Sequence, residues 1–206
     1  MRALKQFLAG ASLSLALLAC GDPTGSAVDG NTAVSAAEVG TQASAADAPE
    51  LISLRPGAPP LATTRASFWA VQGRSSSVVI RYRASAAGVA GLPFLEFSVP
   101  ANTQMVDPAG RQLARGDSIL IEVHVVPGQL AARFSPAGLA FAGRASAQLA
   151  IDYEQGALPV NPARQLAIWH LPCDGGAWEK QRSRLDRKRT MVVASISHFS
   201  NYAVAY

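Results

Sequence analysis

The chain of 206 residues carries only two cysteines, Cys20 and Cys173, and three histidines, His124, His170 and His198. Metal chemistry is therefore short of ligands. A structural zinc site takes four and a catalytic one three plus an open position, whereas His170-Leu171-Pro172-Cys173 offers two. No metal or other cofactor is expected. A hydrolase triad can be drawn from Asp117, Ser118 and His124, yet the chain has no Gly-x-Ser-x-Gly elbow to present a nucleophile. Long apolar runs are missing too, since the stretch from Phe7 to Ala19 is too short to span a bilayer. Nor does one sign of charge dominate: 18 Lys and Arg stand against 14 Asp and Glu, a formal +4, with no field running the length of the chain. Nucleic acid is accordingly not expected as a partner. Helical periodicity is nearly absent.

What is present begins at the N-terminus. Arg2 and Lys5 supply a charged start, the apolar stretch follows, and Leu17-Leu18-Ala19-Cys20 closes it with a small residue before a thiol. This resembles the lipobox of bacterial lipoproteins. The resemblance implies that Cys20 receives a diacylglyceryl group and becomes the first residue after residues 1–19 are cut away as a signal peptide; the alternative is an ordinary secretory signal with a coincidental cysteine. Each buried methylene of an acyl chain contributes about 0.8 kcal/mol, so two or three chains on one residue, palmitate among them, make a lasting anchor. Asp directly after the lipidated cysteine favours the inner membrane in such proteins, and here Gly21 stands there with Asp22 one place later. The expected location is the bacterial cell envelope, lipid-anchored, at the outer membrane or cell surface. Arg2 and Lys5 leave with the signal and no acid does, which lowers the formal charge from +4 to +2. With Cys20 acylated only Cys173 remains, no intrachain disulfide can form, and stability has to come from the core.

From Gly21 to about Thr64 the chain is rich in Ala, Ser, Thr, Gly, Asp and Pro, its few aliphatics following neither structural period. Residues 20–64 read as the lipidated cysteine and a flexible linker that lets the folded part float about 35 Å from the bilayer. For Leu51 to Pro60 the alternative is an extended arm packed on the domain edge. From residue 65 to 206 short apolar runs are punctuated by Gly and Pro. Strands are expected around Phe68 to Val71, Val78 to Arg83, Leu95 to Val99, Ser118 to Val126, Ala145 to Tyr153, Gln165 to His170 and Met191 to Ile196. The clearest alternation sets Ile119, Ile121, Val123 and Val125 against Leu120, Glu122 and His124. Turn chemistry lies between, as at Pro108-Ala109-Gly110, Arg115-Gly116-Asp117, Pro127-Gly128 and Gln155-Gly156. The expected fold is all-β: a single antiparallel β-sandwich after a signal peptide and a disordered tether.

Near the C-terminus, Val192, Ala194 and Ile196 share one parity and Tyr202, Val204 and Tyr206 resume it, whereas Phe199 falls on the other. If Phe199 enters the same core, the backbone has to kink between Ser197 and Asn201. His198-Phe199-Ser200, followed by Asn201-Tyr202-Ala203-Val204, resembles the C-terminal strand of ZU5 domains. Val99-Pro100-Ala101-Asn102-Thr103, the stretch Phe134-Ser135-Pro136-Ala137-Gly138-Leu139-Ala140-Phe141, and Trp178 are similar to further family segments in the same order, with Asn102 and Ser135 where glycines are usual. The resemblance covers roughly Phe94 to Tyr206. It implies a sandwich used for interaction or scaffolding and, in some members, self-cleavage between Phe and Ser of the triplet. In that chemistry Ser200 Oγ attacks the Phe199 carbonyl in an N-to-O acyl shift, His198 takes the proton, and water hydrolyses the ester, freeing Ser200 to Tyr206. The plainer reading makes Phe199 a core plug.

One charge run stands out: Lys180, Arg182, Arg184, Arg187, Lys188 and Arg189, broken only by Asp186. It reads either as a solvated hairpin tip or as a patch for anionic headgroups or acidic envelope polymers, each basic residue near such a surface contributing about 1 kcal/mol. Together these features point to a lipid-anchored, extracytoplasmic binding or envelope-structural module. Its expected partners are the membrane, through the anchor, and a protein or anionic envelope polymer. Self-cleavage is the enzymatic alternative.

Overall fold

A computed structural model describes residues 49–85, 90–143, 145–158, 166–172 and 176–206. Residues 1–48, which include Cys20 and the segment read as a signal peptide, and Cys173 lie outside them. The described residues form strands and no helix. In chain order the strands are β1 (Arg65–Val71), β2 (Ser76–Arg81), β3 (Pro93–Val99), β4 (Gln104–Val106), β5 (Ser118–Val125), β6 (Ala131–Ser135), β7 (Ala140–Ala142), β8 (Ala147–Asp152), β9 (Ala167–Leu171), β10 (Glu179–Lys180), β11 (Ser183–Asp186), β12 (Met191–Ile196) and β13 (Asn201–Ala205). Two antiparallel sheets pack face to face, one in the order β1-β5-β6-β13-β9-β10 and the other β11-β12-β8-β3-β2, and β4 pairs with β7 in a small ribbon beside them. This is the β-sandwich expected from the alternation, and all seven runs expected to be extended are strands.

The pattern of β5 shows why. Ile121, Val123 and Val125 are buried while Leu120 and Glu122 face water, so a one-residue slip of register would put the whole apolar set into solvent. Between the sheets Phe97 is the hub of an aromatic cluster, its ring 5.2 Å from Phe134, 5.4 Å from Phe199 and 6.0 Å from Phe141. Burial of each such ring is worth about 1.5–3 kcal/mol. Two places break strict alternation. The register slips between Ile80 and Arg81, which leaves Phe94 opposite no residue of β2, so Phe94 and Leu95 are both fully buried. On β8 the outward Ala150 and Asp152 are also buried. Ala150 packs with Met191 and Val193 of the neighbouring strand, and Asp152 accepts hydrogen bonds from Tyr82 Oη (2.9 Å) and Thr190 Oγ1 (2.9 Å).

The folded body reaches back to residue 49, so part of the stretch assigned by composition to the linker is the packed arm. Leu51 bridges Ala205 at the end of β13, Ser53 bridges Gln129 in the β5–β6 turn, Leu54 bridges Gly156 just after β8, and Leu61 bridges Tyr82 just after β2. These partners all lie at the same end of the sandwich, and the arm closes that end. Ile52 is its apolar anchor, 2 % exposed; its N–H donates to the Val204 carbonyl at 3.0 Å and its carbonyl accepts from Leu130 N–H at 2.9 Å. Gly156 is required there because a Cβ would come within 2.8 Å of Ile52 Cγ2 and 2.9 Å of Leu130 Cδ1.

Candidate functional site

The kink inferred from parity at the C-terminus is the point where the chain crosses between sheets. β12 ends in the five-stranded sheet at Ile196 and β13 begins in the six-stranded sheet at Asn201. Phe199, 1 % exposed, drops into the aromatic cluster, 5.0 Å from Phe141 and 5.1 Å from Phe134. The backbone around it is clamped by residues 134–141. Phe199 N–H donates to the Leu139 carbonyl (2.8 Å), the Phe199 carbonyl accepts from Gly138 N–H (3.4 Å), the Ser200 carbonyl accepts from Phe134 N–H (3.0 Å), and the Ser197 carbonyl accepts from Phe141 N–H (2.7 Å). The triplet and the stretch from Phe134 to Phe141 are thus bonded to each other.

The side chains of the triplet are engaged elsewhere. His198 Nδ1 lies 2.9 Å from Ser197 Oγ, and its ring stands edge-on to His170 at 4.3 Å. Ser200 Oγ, in a side chain that is 2 % exposed, donates to the Asn201 carbonyl at 3.5 Å. Attack on the Phe199 carbonyl needs the imidazole on that hydroxyl, and both groups would have to leave these partners to meet. A hydrogen bond from Gly138 N–H to the carbonyl that would be attacked is present but long, and it serves the sheet crossover as well.

His170 is buried beside this kink because Tyr202 of β13 pairs with it across the sheet, and its Nδ1 is 3.4 Å from Glu179 Oε2. The meeting of His170 and His198 is long-range and carries no local signal in the sequence. Among the described residues no group of three or more His, Cys, Asp and Glu could hold a metal ion. The drawn triad of Asp117, Ser118 and His124 does not form. Ser118 and His124 sit near opposite ends of β5, and six steps along the strand separate them by about 20 Å.

The basic run is divided among three places. Lys180 of β10 lies over the Trp169 ring, 5.6 Å from its centroid. Arg182 and Arg184 border a shallow cavity of about 390 Å³ on the outer face of the five-stranded sheet, with Gln148 and Ser195 on its other side. Arg187, Lys188 and Arg189 occupy the exposed tip of the β11–β12 hairpin. Of these, Arg189 is committed to an ion pair with Glu96, and its hydrogen bond to that carboxylate raises the guanidinium pKa above its ordinary value. The tip is held from beneath. Thr190, at a left-handed φ of 54°, directs Oγ1 to Asp152, which also receives Tyr82 Oη and Glu154 N–H (3.0 Å). Burial, reinforced by the Asp152 charge, pushes the Tyr82 phenol far above its usual range, so it remains a neutral donor.

The registers place this tip at the arm end of the molecule, since Met191 pairs with Asp152 and Gly156 just beyond pairs with Leu54. Arg55 and Arg83 are exposed at the same end, Arg55 bonding Gln155 and Arg83 N–H bonding the Pro60 carbonyl of the arm. A cationic rim therefore surrounds the entry of the N-terminal arm, moderated by Glu50 and Glu154. The chain matches no family model, no curated protein and no solved structure.

Proposed function

We propose that the chain is a lipid-anchored, extracytoplasmic β-sandwich of the bacterial envelope, at the outer membrane or cell surface, which serves as a binding or envelope-structural module. The observation that carries this reading is the coincidence of two features at one end of the fold. The arm that leads back toward Cys20 enters there, and the exposed cations Arg55, Arg83, Arg187 and Lys188 surround it. A leash on the N-terminal side presents this end to the lipid layer. Each unpaired cation brought to an anionic surface contributes about 1 kcal/mol. Lys180 and Arg189 add little, the first lying over Trp169 and the second neutralised by Glu96.

In this reading His198, Phe199 and Ser200 form a crossover hinge and core plug, supported by the burial of Phe199 and the separate partners of the imidazole and the hydroxyl. The kinship with ZU5 domains is retained as part of the proposal. Its support is that the stretch from Phe134 to Phe141 binds the triplet backbone. The test is co-sedimentation of the purified Cys20→Ala chain, which has no acyl anchor to mask the patch, with anionic vesicles in low salt. Arg187→Ser with Lys188→Ser is expected to reduce adsorption about tenfold or more, two contacts at the above magnitude, while Arg189→Ser alone leaves it nearly unchanged. Equal adsorption of the double variant and the parent removes the membrane-facing assignment of this end.

A further inference from the structure

The outer face of the six-stranded sheet carries a graded set of side chains that neither the anchor nor the hairpin tip uses. Register places Trp69 of β1 opposite Leu120 of β5; in the next outward row Ser67, Glu122 and Ser135 lie side by side across β1, β5 and β6; in the third row Arg65, His124 and Arg133 do the same. Trp69 is 62 % exposed and Leu120 38 %, whereas their chain neighbours Ala70 and Ile121 are fully buried. A shallow cavity of about 380 Å³ is lined by Trp69, Leu120, Glu122, Ser135 and Pro136. A second, of about 290 Å³, is lined by Arg65, His124, Arg133 and Pro127. They adjoin along β5, and rows two residues apart on a strand make the pair of hollows about 13 Å long.

An indole with more than half its surface in water has no packing role to explain its place on a rigid strand, and strand parity fixes the ring outward. Its flat apolar face suits the C–H face of a pyranose ring. The Glu122 carboxylate accepts hydrogen bonds from sugar hydroxyls, and the serine hydroxyls both donate and accept them. One row further, Arg65 offers a planar guanidinium fork that matches a carboxylate in geometry and charge. The large exposed apolar side chains here are Trp69 and Leu120, flanked by charged and hydroxyl groups, unlike the charge-depleted apolar centre of a standard protein interface. From this order of aromatic platform, hydroxyl-binding row and cationic row we infer that the face is a saccharide-binding groove for an acidic glycan, with a pyranose on Trp69 and the carboxylate of a unit further along the glycan at Arg65. It rests on the reading of the chain as an envelope binding module and names the ligand class.

The test uses the purified full chain in detergent, with polygalacturonate as the acidic polysaccharide and dextran as the neutral one, followed by calorimetry and affinity electrophoresis. Polygalacturonate binding is expected to weaken at least tenfold in Trp69→Ala, to recover in part in Trp69→Tyr, and to weaken by a similar factor in Arg65→Ser, with thermal midpoints unchanged because these side chains are exposed. Absence of binding by the parent chain overturns the inference. So does full binding by Trp69→Ala, which would mark mere polyelectrolyte adsorption, and equal affinity for dextran overturns the cationic half of the groove. The Cys20→Ala chain binds as the parent does, so failure here and failure of the lipid anchor are read separately.

Discussion

Replacing Ile52 with alanine tests whether the arm is part of the folded body or merely lies against it. Ile52 is 2 % exposed and is fastened on both sides by backbone hydrogen bonds to Val204 and Leu130. Ile→Ala at a buried site costs about 2–5 kcal/mol, and a value near 3 is expected here because Leu130 and Gly156 are held by their own backbone bonds and cannot collapse far into the gap. For a domain of this length each kcal/mol moves the thermal midpoint by about 2–4 °C, so the variant should melt about 6–12 °C lower. Gly156→Ala provides the partner mutation. Its new methyl would sit 2.8 Å from Ile52 Cγ2 in the parent, an overpacking of about 1–3 kcal/mol, but would occupy vacated space in Ile52→Ala. The double variant should therefore be more stable than the sum of the single effects by at least about 1 kcal/mol. The assay is thermal and urea unfolding of the full chain followed by circular dichroism. Additive losses, or a midpoint for Ile52→Ala within about 1 °C of the parent, would refute the reasoning and return residues 49–62 to the linker.

Tyr82→Phe removes a donor from the buried Asp152 and should destabilise by about 1–3 kcal/mol. Because the folded-state phenol pKa is raised, its contribution is complete below the unfolded value of about 10 and fades as pH rises beyond it; alkaline unfolding of the parent above that pH should be blunted in Tyr82→Phe, and an unaltered alkaline limb contradicts the assignment. The full chain should give a single intact mass after prolonged incubation, as should Ser200→Ala at its own mass, and a fragment beginning at Ser200 that vanishes in Ser200→Ala would show that the triplet is cleaved and not merely a hinge. Arg187 and Lys188, not Arg189, should govern vesicle adsorption, and a dominant effect of Arg189→Ser would mean that its pairing with Glu96 does not persist in solution.

The longer strands were legible where their inward residues are large or β-branched at period two, as in β5, and the kink between Ser197 and Asn201 was legible because Phe199 breaks parity, whereas its passage from one sheet to the other was not. β6 and β7 were not. Their buried positions include Ala131 and Ala132, and β7 is three residues long, so side-chain pattern gives little contrast where neighbouring strands leave room only for small groups. The arm stood only as an alternative to the linker because a single buried residue, Ile52, carries no period, and its burial depends on Leu130 and Val204 far along the chain. The basic run read as one cluster along the chain. In space β10 and β11 belong to different sheets, which separates Lys180 from Arg184 and both from the hairpin tip. The exposure of Trp69 was not read from the sequence, and its grouping with Glu122 and Arg65 required the β1–β5 register.

Mass spectrometry of the N-terminal peptide of the mature protein, recovered from membranes of cells fed an alkyne-bearing palmitate, tests the account most directly. The account predicts a peptide that begins at Cys20 and carries a labelled diacylglyceryl thioether, absent in Cys20→Ala. An unlabelled Cys20, or a mature chain that starts at any other residue, would contradict it.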